Sequence, residues 1–350
     1  MLDDQAALER VDAHATRDVL AAFPAQCRTA AALHPEPAPP GIRPRAVIAA
    51  GMGGSAAGGD VVAACALERL DVPIVVHRGY GLPALARPDT LVVASSYSGE
   101  TAEVVSALET ALARGVPAVA ITSGGRLARL AEQARVPRVA LPGGLMPRMA
   151  LGFLVFPLLA TLDAVGLTVA SEAEIAEALG ALDALAGVLG PARGAASNEA
   201  KQLALAIGDA VPVIYGGPLT GASAYRWKTD LEENAKTFAL SWTLPEMNHN
   251  EIEAWRAPAG KGLHLVLLRD RDEGGAIARR FALVREMCAT VAAGVSEVWG
   301  RGEGPLARLL SLAYLGQWTS YYLAILRGED PWLVPTLEAL KSRMASDERR

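Results

Sequence analysis

The chain has 350 residues, of which 51 % are hydrophobic and only 5 % aromatic, and a formal net charge of -5. That length accommodates two cores of ordinary size, and an apolar content made mostly of Ala, Leu and Val suits helices packed on parallel strands. The charge supplies no basic field for nucleic acid, no stretch stays apolar for a membrane-spanning length, and Cys27, Cys65 and Cys288 fit neither a disulfide framework nor a zinc cluster. The chain begins Met-Leu-Asp-Asp, with no basic segment leading into an apolar one, so a reducing cytoplasm is the expected location.

Residues 3–33 have helical spacing, with Leu8, Val11, Val19, Leu20 and Phe23 on one face; HPEPAPPGIRP then breaks the pattern with five prolines. A regular alternation follows. Strands are predicted at 46–50, 72–76, 90–95, 116–121 and 138–141, with helices at 55–70 and 101–114. Strands separated by helices argue for a parallel, doubly wound sheet. From 151 to about 208 the chain is rich in Ala and Leu and reads as helices that cover or bridge domains. The opening pattern then returns: VIYGGPLTGASAYRW at 213–227 mirrors VIAAGMGGSAAGG at 47–59, which suggests an internal duplication, though two unrelated α/β halves satisfy the pattern as well. Strands at 237–242 and 263–268 and helices at 277–291, 306–327 and 335–345 complete the reading. The expected organisation is an N-terminal helix and linker (1–40), a first α/β unit (41–165), a helical connection (166–208), a second α/β unit (209–330) and a C-terminal helix (331–350).

Two loops stand at strand ends that lead into helices, where ligands of open α/β sheets bind and helix N-termini attract anions. The first is GMGGS, with Gly53, Gly54 and Ser55; the second is SSYSGET, with Ser96, Ser98 and Thr101. The spacing Gly51-x-Gly53-x-x-Ala56 also suits a dinucleotide, but that use expects an acidic residue at the end of the second strand, and the chain has His77-Arg78 there. An Arg leaves a phosphorylated ribose open, and glycines that merely let helix and strand approach closely are a third explanation. Three hydroxyls on one helix-entry turn favour a phosphate monoester, although a hydroxyl at a helix start is more often a simple cap.

GMGGS, SYSGET, the Pro147-Arg148 step, ENAK and PEMNHNE together resemble the bifunctional phosphoglucose/phosphomannose isomerases, a branch of the sugar-isomerase (SIS) domain superfamily. The likeness runs from Ala46 to the C-terminal helix. It implies two SIS subdomains, each a parallel sheet flanked by helices, a hexose 6-phosphate held by the serine loop, and a homodimer with shared active sites. It also implies an enediolate mechanism without cofactor or metal. Zinc-dependent phosphomannose isomerases use a His- and Glu-rich site, whereas the five histidines here have no metal-ligand spacing.

Moving a proton between C1 and C2 of a sugar phosphate needs a carboxylate near the carbon and positive charge near the enediolate oxygens. The resemblance assigns the carboxylate to Glu233 in ENAK, with Glu232 as its solvated neighbour, and the charge to Arg148. It assigns ring opening to His249 of PEMNHNE, reaching the cleft from the other subunit, and an approach to the ring oxygen to Lys341. Read by residue type alone, each of these is as readily a surface charge or a loop side chain bonded to its own backbone. One departure concerns Trp332 and Leu333 in PWLVP, bulky where smaller residues are expected, which puts the acceptance of both epimers in question. A non-catalytic SIS protein that senses a phosphosugar would keep the serine loop and gain nothing from Glu233.

Overall fold

The computed structural model describes residues 1–39 and 41–347; Pro40 and residues 348–350, at the ends of two expected segments, lie outside them. The N-terminal segment is three helices, α1 (Gln5–Val11), α2 (Thr16–Ala21) and α3 (Phe23–Ala31), not the one long helix expected. The break has a local cause. Asp12 turns its carboxylate onto the Thr16 and Arg17 N–H groups, and Ala15 adopts a left-handed conformation at φ 53°.

The first sheet contains β1 (Ala46–Ala50), β2 (Ile74–His77), β3 (Thr90–Ser95), β4 (Ala118–Thr122) and β5 (Arg138–Ala140), all parallel in the order β2-β1-β3-β4-β5. Its crossovers are α4 (Gly54–Ala66), α5 (Ala102–Ala113) and α6 (Gly125–Gln133). The last of these escaped the sequence reading, because RLARLAEQ is short and carries charge between its leucines. Strands β1, β3 and β4 are buried at every position, which explains their unbroken apolar runs.

Helices α7 (Leu151–Asp163), α8 (Glu172–Leu189) and α9 (Glu199–Ile207) join the halves, as the Ala/Leu-rich composition suggested. A reciprocal capping box of Ser171 and Glu174 starts α8. The second sheet has β6 (Val211–Gly216), β7 (Leu240–Thr243), β8 (Leu263–Arg269) and β9 (Gly294–Trp299), parallel in the order β7-β6-β8-β9. Its helices are α10 (Gly221–Ala235) and α11 (Gly275–Ala289). Strand β9, GVSEVW, was not expected: it is mostly half-buried, and the adjacent Ser296 and Glu297 interrupt both an apolar run and a clean alternation. In each sheet the first strand lies between the second and the third, as a duplicated unit requires. The chain is an α/β protein of two parallel sheets flanked by helices.

Helix α12 (Pro305–Arg327) runs through the middle, buried from Leu306 to Ile325, with Tyr314, Trp318, Tyr321 and Tyr322 in mutual ring contact. It packs closely on α10 because Gly316 lies under Trp227, whose indole N–H donates to Leu312 O at 2.7 Å. The chain ends in α13 (Pro335–Asp347), exposed from Pro335 to Met344.

A Cβ at Gly316 would stand 2.4 Å from Trp227 Nε1. Gly316→Ala is therefore expected to lower stability by about 2 kcal/mol, the overpacking cost exceeding the helix-propensity gain of about 1 kcal/mol. Urea unfolding followed by tryptophan fluorescence measures it.

Candidate active site

The strand order of the first sheet reverses between β1 and β3, and the crevice at that reversal is where an open α/β sheet receives its ligand. The glycine loop follows β1 and the serine loop follows β3, so both flank it. Gly53 takes φ 51° to turn the chain into α4, a conformation that favours glycine. Ser55, buried, accepts the Tyr97 N–H on Oγ at 3.3 Å, and this bond ties the two loops together. Ser96 is also buried, and its hydroxyl serves the turn: it accepts from Gly99 N–H at 3.1 Å and lies 2.8 Å from Thr101 Oγ1. Ser98 is exposed and Thr101 half-buried at the N-cap of α5, where its side chain caps no N–H. The accessible hydroxyls are thus those of Ser98 and Thr101, with Ser96 bracing them.

Tyr97, which the sequence reading left without a role, links this corner to the next. Its hydroxyl donates to Pro142 O at 2.8 Å and accepts from Leu145 N–H at 3.2 Å, fixing the loop that leads to the short 310 turn Pro147–Met149. Gly54 packs directly on that turn: a Cβ there would lie 2.8 Å from Pro147 O and 3.1 Å from Arg148 Cα.

Arg148 is 3 % exposed. Its Nε donates to Asn234 Oδ1 at 2.9 Å, and Nη2 donates to Pro331 O at 2.8 Å and Trp332 O at 2.6 Å. Nη1 lies 3.6 Å from Glu233 Oε2, on a side chain that keeps 27 % exposure. Burial pulls the guanidinium below its ordinary pKa, while Glu233 and Asp230 pull it back up. Asn234 is held in turn by Ser320 on α12 at 2.9 Å. Behind the pair, Arg226 donates to Arg148 O and lies 2.6 Å from Asp230. Burial pushes the Asp230 carboxyl up to about 7, against the pull of Arg226.

The ENAK segment ends α10, with Lys236 in the left-handed conformation at φ 51°. That bend returns its ammonium to the helix end, where it donates to Glu233 O at 3.0 Å, Asn234 O at 3.1 Å and Asp330 O at 2.7 Å. Burial, then Arg148, holds Lys236 below the usual lysine pKa. Asn234 and Lys236 escape a reading by residue type because their part is to bond Arg148 and backbone carbonyls, contacts that only the fold brings together.

The structure thus brings the glycine loop, the serine loop, Arg148 and Glu233 into one continuous corner. It does not bring His249 there within a chain. Glu233 lies at the C-terminal end of α10, hence at the edge of the second sheet where its strands begin, whereas His249 follows the far end of β7. About the length of α10, roughly 22 Å, separates those edges. His249 is exposed on the 310 turn Glu246–His249, and among the described residues its ring makes no hydrogen bond. Lys341 is exposed on α13. Arg78, the residue that kept a dinucleotide open, pairs with Asp60 and packs on the Tyr225 ring 5.4 Å away.

The equivalent crevice of the second sheet is a cavity of about 610 Å³ with Asp270, Asp272, Glu273 and Glu303 on its walls and Arg69 and Arg308 as counter-charges. Carboxylates in that number disfavour a phosphate dianion, unlike the hydroxyl and N–H groups at the reversal point of the first sheet. Among the described residues no group of three or more His, Cys, Asp or Glu could hold a metal ion, and no helix is long and apolar enough to cross a membrane.

Two parallel sheets of one strand order, with hydroxyl and glycine loops at the first reversal point, define a double SIS-domain protein. Residues 42–137 match the SIS domain, and residues 196–344 match the bacterial phospho-glucose isomerase C-terminal SIS domain. The bifunctional phosphoglucose/phosphomannose isomerase of Caldicellulosiruptor bescii is 37 % identical over 302 residues, 85 % of this chain and 89 % of that one. The enzyme of the same name from Aquifex aeolicus is 33 % identical over 307 residues, 86 % and 90 % of the two chains. The C-terminal domain of glucosamine-fructose-6-phosphate aminotransferase from Francisella tularensis shares the fold at 17 % identity, with a TM-score of 0.64 over 90 % of this chain and 97 % of that one. The chain belongs to the bifunctional phosphoglucose/phosphomannose isomerase family.

Gly54→Ala is expected to push the Pro147–Met149 turn away from α4, since backbone and not a flexible side chain opposes the new methyl. The amides of residues 148–150 then exchange hydrogen faster, and stability drops by about 1 to 3 kcal/mol, read by exchange mass spectrometry and thermal unfolding.

Proposed function

We propose that this protein interconverts glucose 6-phosphate or mannose 6-phosphate with fructose 6-phosphate through an enediolate. The observation that carries the proposal is the Glu233 carboxylate, partly open to solvent, 3.6 Å from a buried guanidinium whose own backbone packs on the glycine loop. The phosphate sits on Ser98, Thr101 and the N–H groups that open α4 and α5, with Gly53 and Gly54 allowing close approach and Ser55 and Ser96 holding the loops in shape. That anchor sets the reach of the open-chain sugar to Glu233.

Glu233 takes the proton from C2, and the electron pair left behind forms the C1–C2 double bond while negative charge collects on the former aldehyde oxygen. Arg148 faces that oxygen. Being buried and fixed by three hydrogen bonds, it stabilises the charge without reorganising. Glu233 then returns the proton to C1 while the proton of the C2 hydroxyl passes to the negative C1 oxygen, leaving a ketone at C2 and a hydroxyl at C1. A sensing protein would have no use for a carboxylate beside a buried arginine, and this favours the enzymatic reading.

His249 opens the ring from the partner subunit, with Lys341 approaching the ring oxygen, in a cytoplasmic homodimer with shared sites. Two features support a second copy of the chain. Edge strand β7 and its approach leave Phe238, Leu240 and Trp242 exposed at alternate positions, and α13 exposes Leu337, Leu340 and Met344 at helical spacing. Apolar surface of that kind calls for a partner.

Glu233→Gln is expected to lower turnover by at least about a hundredfold while KM changes little, measured with a coupled assay on each epimer. Unchanged turnover removes the catalytic role. Mixing Glu233→Gln with His249→Ala, each inactive alone, should restore about a quarter of the parent activity, because half the dimers are mixed and each mixed dimer has one intact site.

A further inference from the structure

The turn Asp330–Trp332, between α12 and α13, is a strap whose carbonyls all face the site. Asp330 O accepts from Lys236, and Pro331 O and Trp332 O accept from Arg148 Nη2. The other side of the strap is held by one residue from the opposite end of the chain. His14 Nδ1 lies 2.7 Å from Asp330 Oδ2, and its ring stacks on Trp332 with centroids 6.3 Å apart and planes 10° from parallel. The same carboxylate closes the strap upon itself, as Asp330 Oδ1 accepts the Trp332 N–H at 2.9 Å.

His14 is itself fixed to the core. Asp12, two residues earlier and buried, accepts from Thr16 N–H at 2.7 Å and from the Tyr321 hydroxyl of α12 at 3.1 Å. A rigid line therefore runs from α12 through Asp12 and His14 to the strap, and from the strap to the guanidinium. Arg148 is too buried to replace lost carbonyls with water, so a strap that drifts carries Nη2 with it or leaves it unpaired.

We propose that His14 is a positioning residue: by bonding to Asp330 and stacking on Trp332 it seats the strap that aims Arg148. This rests on the isomerase reading above. His14 makes no contact with Arg148 or Glu233, and its imidazole, 44 % exposed, contributes little core packing. Its effect is confined to the charge that develops during the reaction, since the phosphate loops are held by Ser55 and Tyr97 and do not involve it.

The test compares the parent enzyme, His14→Ala and His14→Gln. His14→Ala is expected to turn over hexose 6-phosphate about tenfold more slowly with KM within about twofold of the parent. Two non-reacting ligands separate aiming from general damage. An aldonic acid phosphate one carbon shorter than the substrate carries a carboxylate that imitates the enediolate, and its affinity falls by the same factor. The corresponding alditol phosphate, uncharged at that end, binds as before. His14→Gln, able to bond to Asp330, recovers most of both losses. Should His14→Ala not fold, His14→Phe keeps the ring, loses the bond and is read by the same criteria. Equal weakening of both ligands, or parent-like kcat and affinities, overturns the inference. A parent enzyme that does not prefer the acid to the alditol refutes the isomerase reading itself, a result seen without any variant.

Discussion

Burying a guanidinium is costly unless its donors are met, and Arg148 is met by segments far apart in the chain. Asn234 closes α10, Pro331 and Trp332 follow α12, and Glu233 supplies the opposite charge. The 310 turn that carries Arg148 also rests on Gly54 at the head of α4. A group with so many dependents cannot move without breaking hydrogen bonds in low dielectric. The head of α4, the end of α10 and the C-terminal strap are therefore held in one geometry around a single cation. That geometry is what a reaction passing through a transient anion requires.

The two sheets repeat one topology but divide the labour. At the first reversal point neutral hydroxyls and helix N-termini face the crevice; at the second, carboxylates do. The first arrangement suits an anion and the second disfavours one, in keeping with the phosphate site proposed on the first sheet. The second sheet contributes α10, whose terminal turn delivers Glu233, Asn234 and Lys236 to the site built on the first. Lys236 satisfies the carbonyls of that turn, which offsets the unfavourable position of a carboxylate at the negative end of a helix.

Other features of the chain look outward. His249 lies at the far edge of the second sheet, Lys341 lies on an exposed helix, and apolar side chains on β7 and α13 are exposed. A second copy of the chain covering these surfaces, as proposed above, would account for all of them at once. The strap and His14, as proposed above, follow the complementary strategy, in which residues remote from the chemistry fix the aim of a residue inside it.

Much was legible in the sequence because it is written in local pattern. Buried parallel strands read as continuous apolar runs, the glycine and hydroxyl turns read as helix entries, and ENAK and PEMNHNE carried the family likeness. What lay hidden lacked such a signature: the charged α6, the half-buried β9, and the Asp12 side-chain bonds that split one expected helix into three. The sequence by itself determined the α/β class and the family likeness, and it singled out Glu233 and Arg148 as the candidate carboxylate and arginine. Only the tertiary structure decided that Ser96 braces while Ser98 and Thr101 remain accessible, that Arg148 meets Glu233, and that His14 meets Asp330 across 316 positions. The reason is physical: strand and helix patterns arise from neighbours in the chain, whereas desolvation and hydrogen-bond satisfaction depend on which distant groups the packed core brings within 3 Å or so of one another.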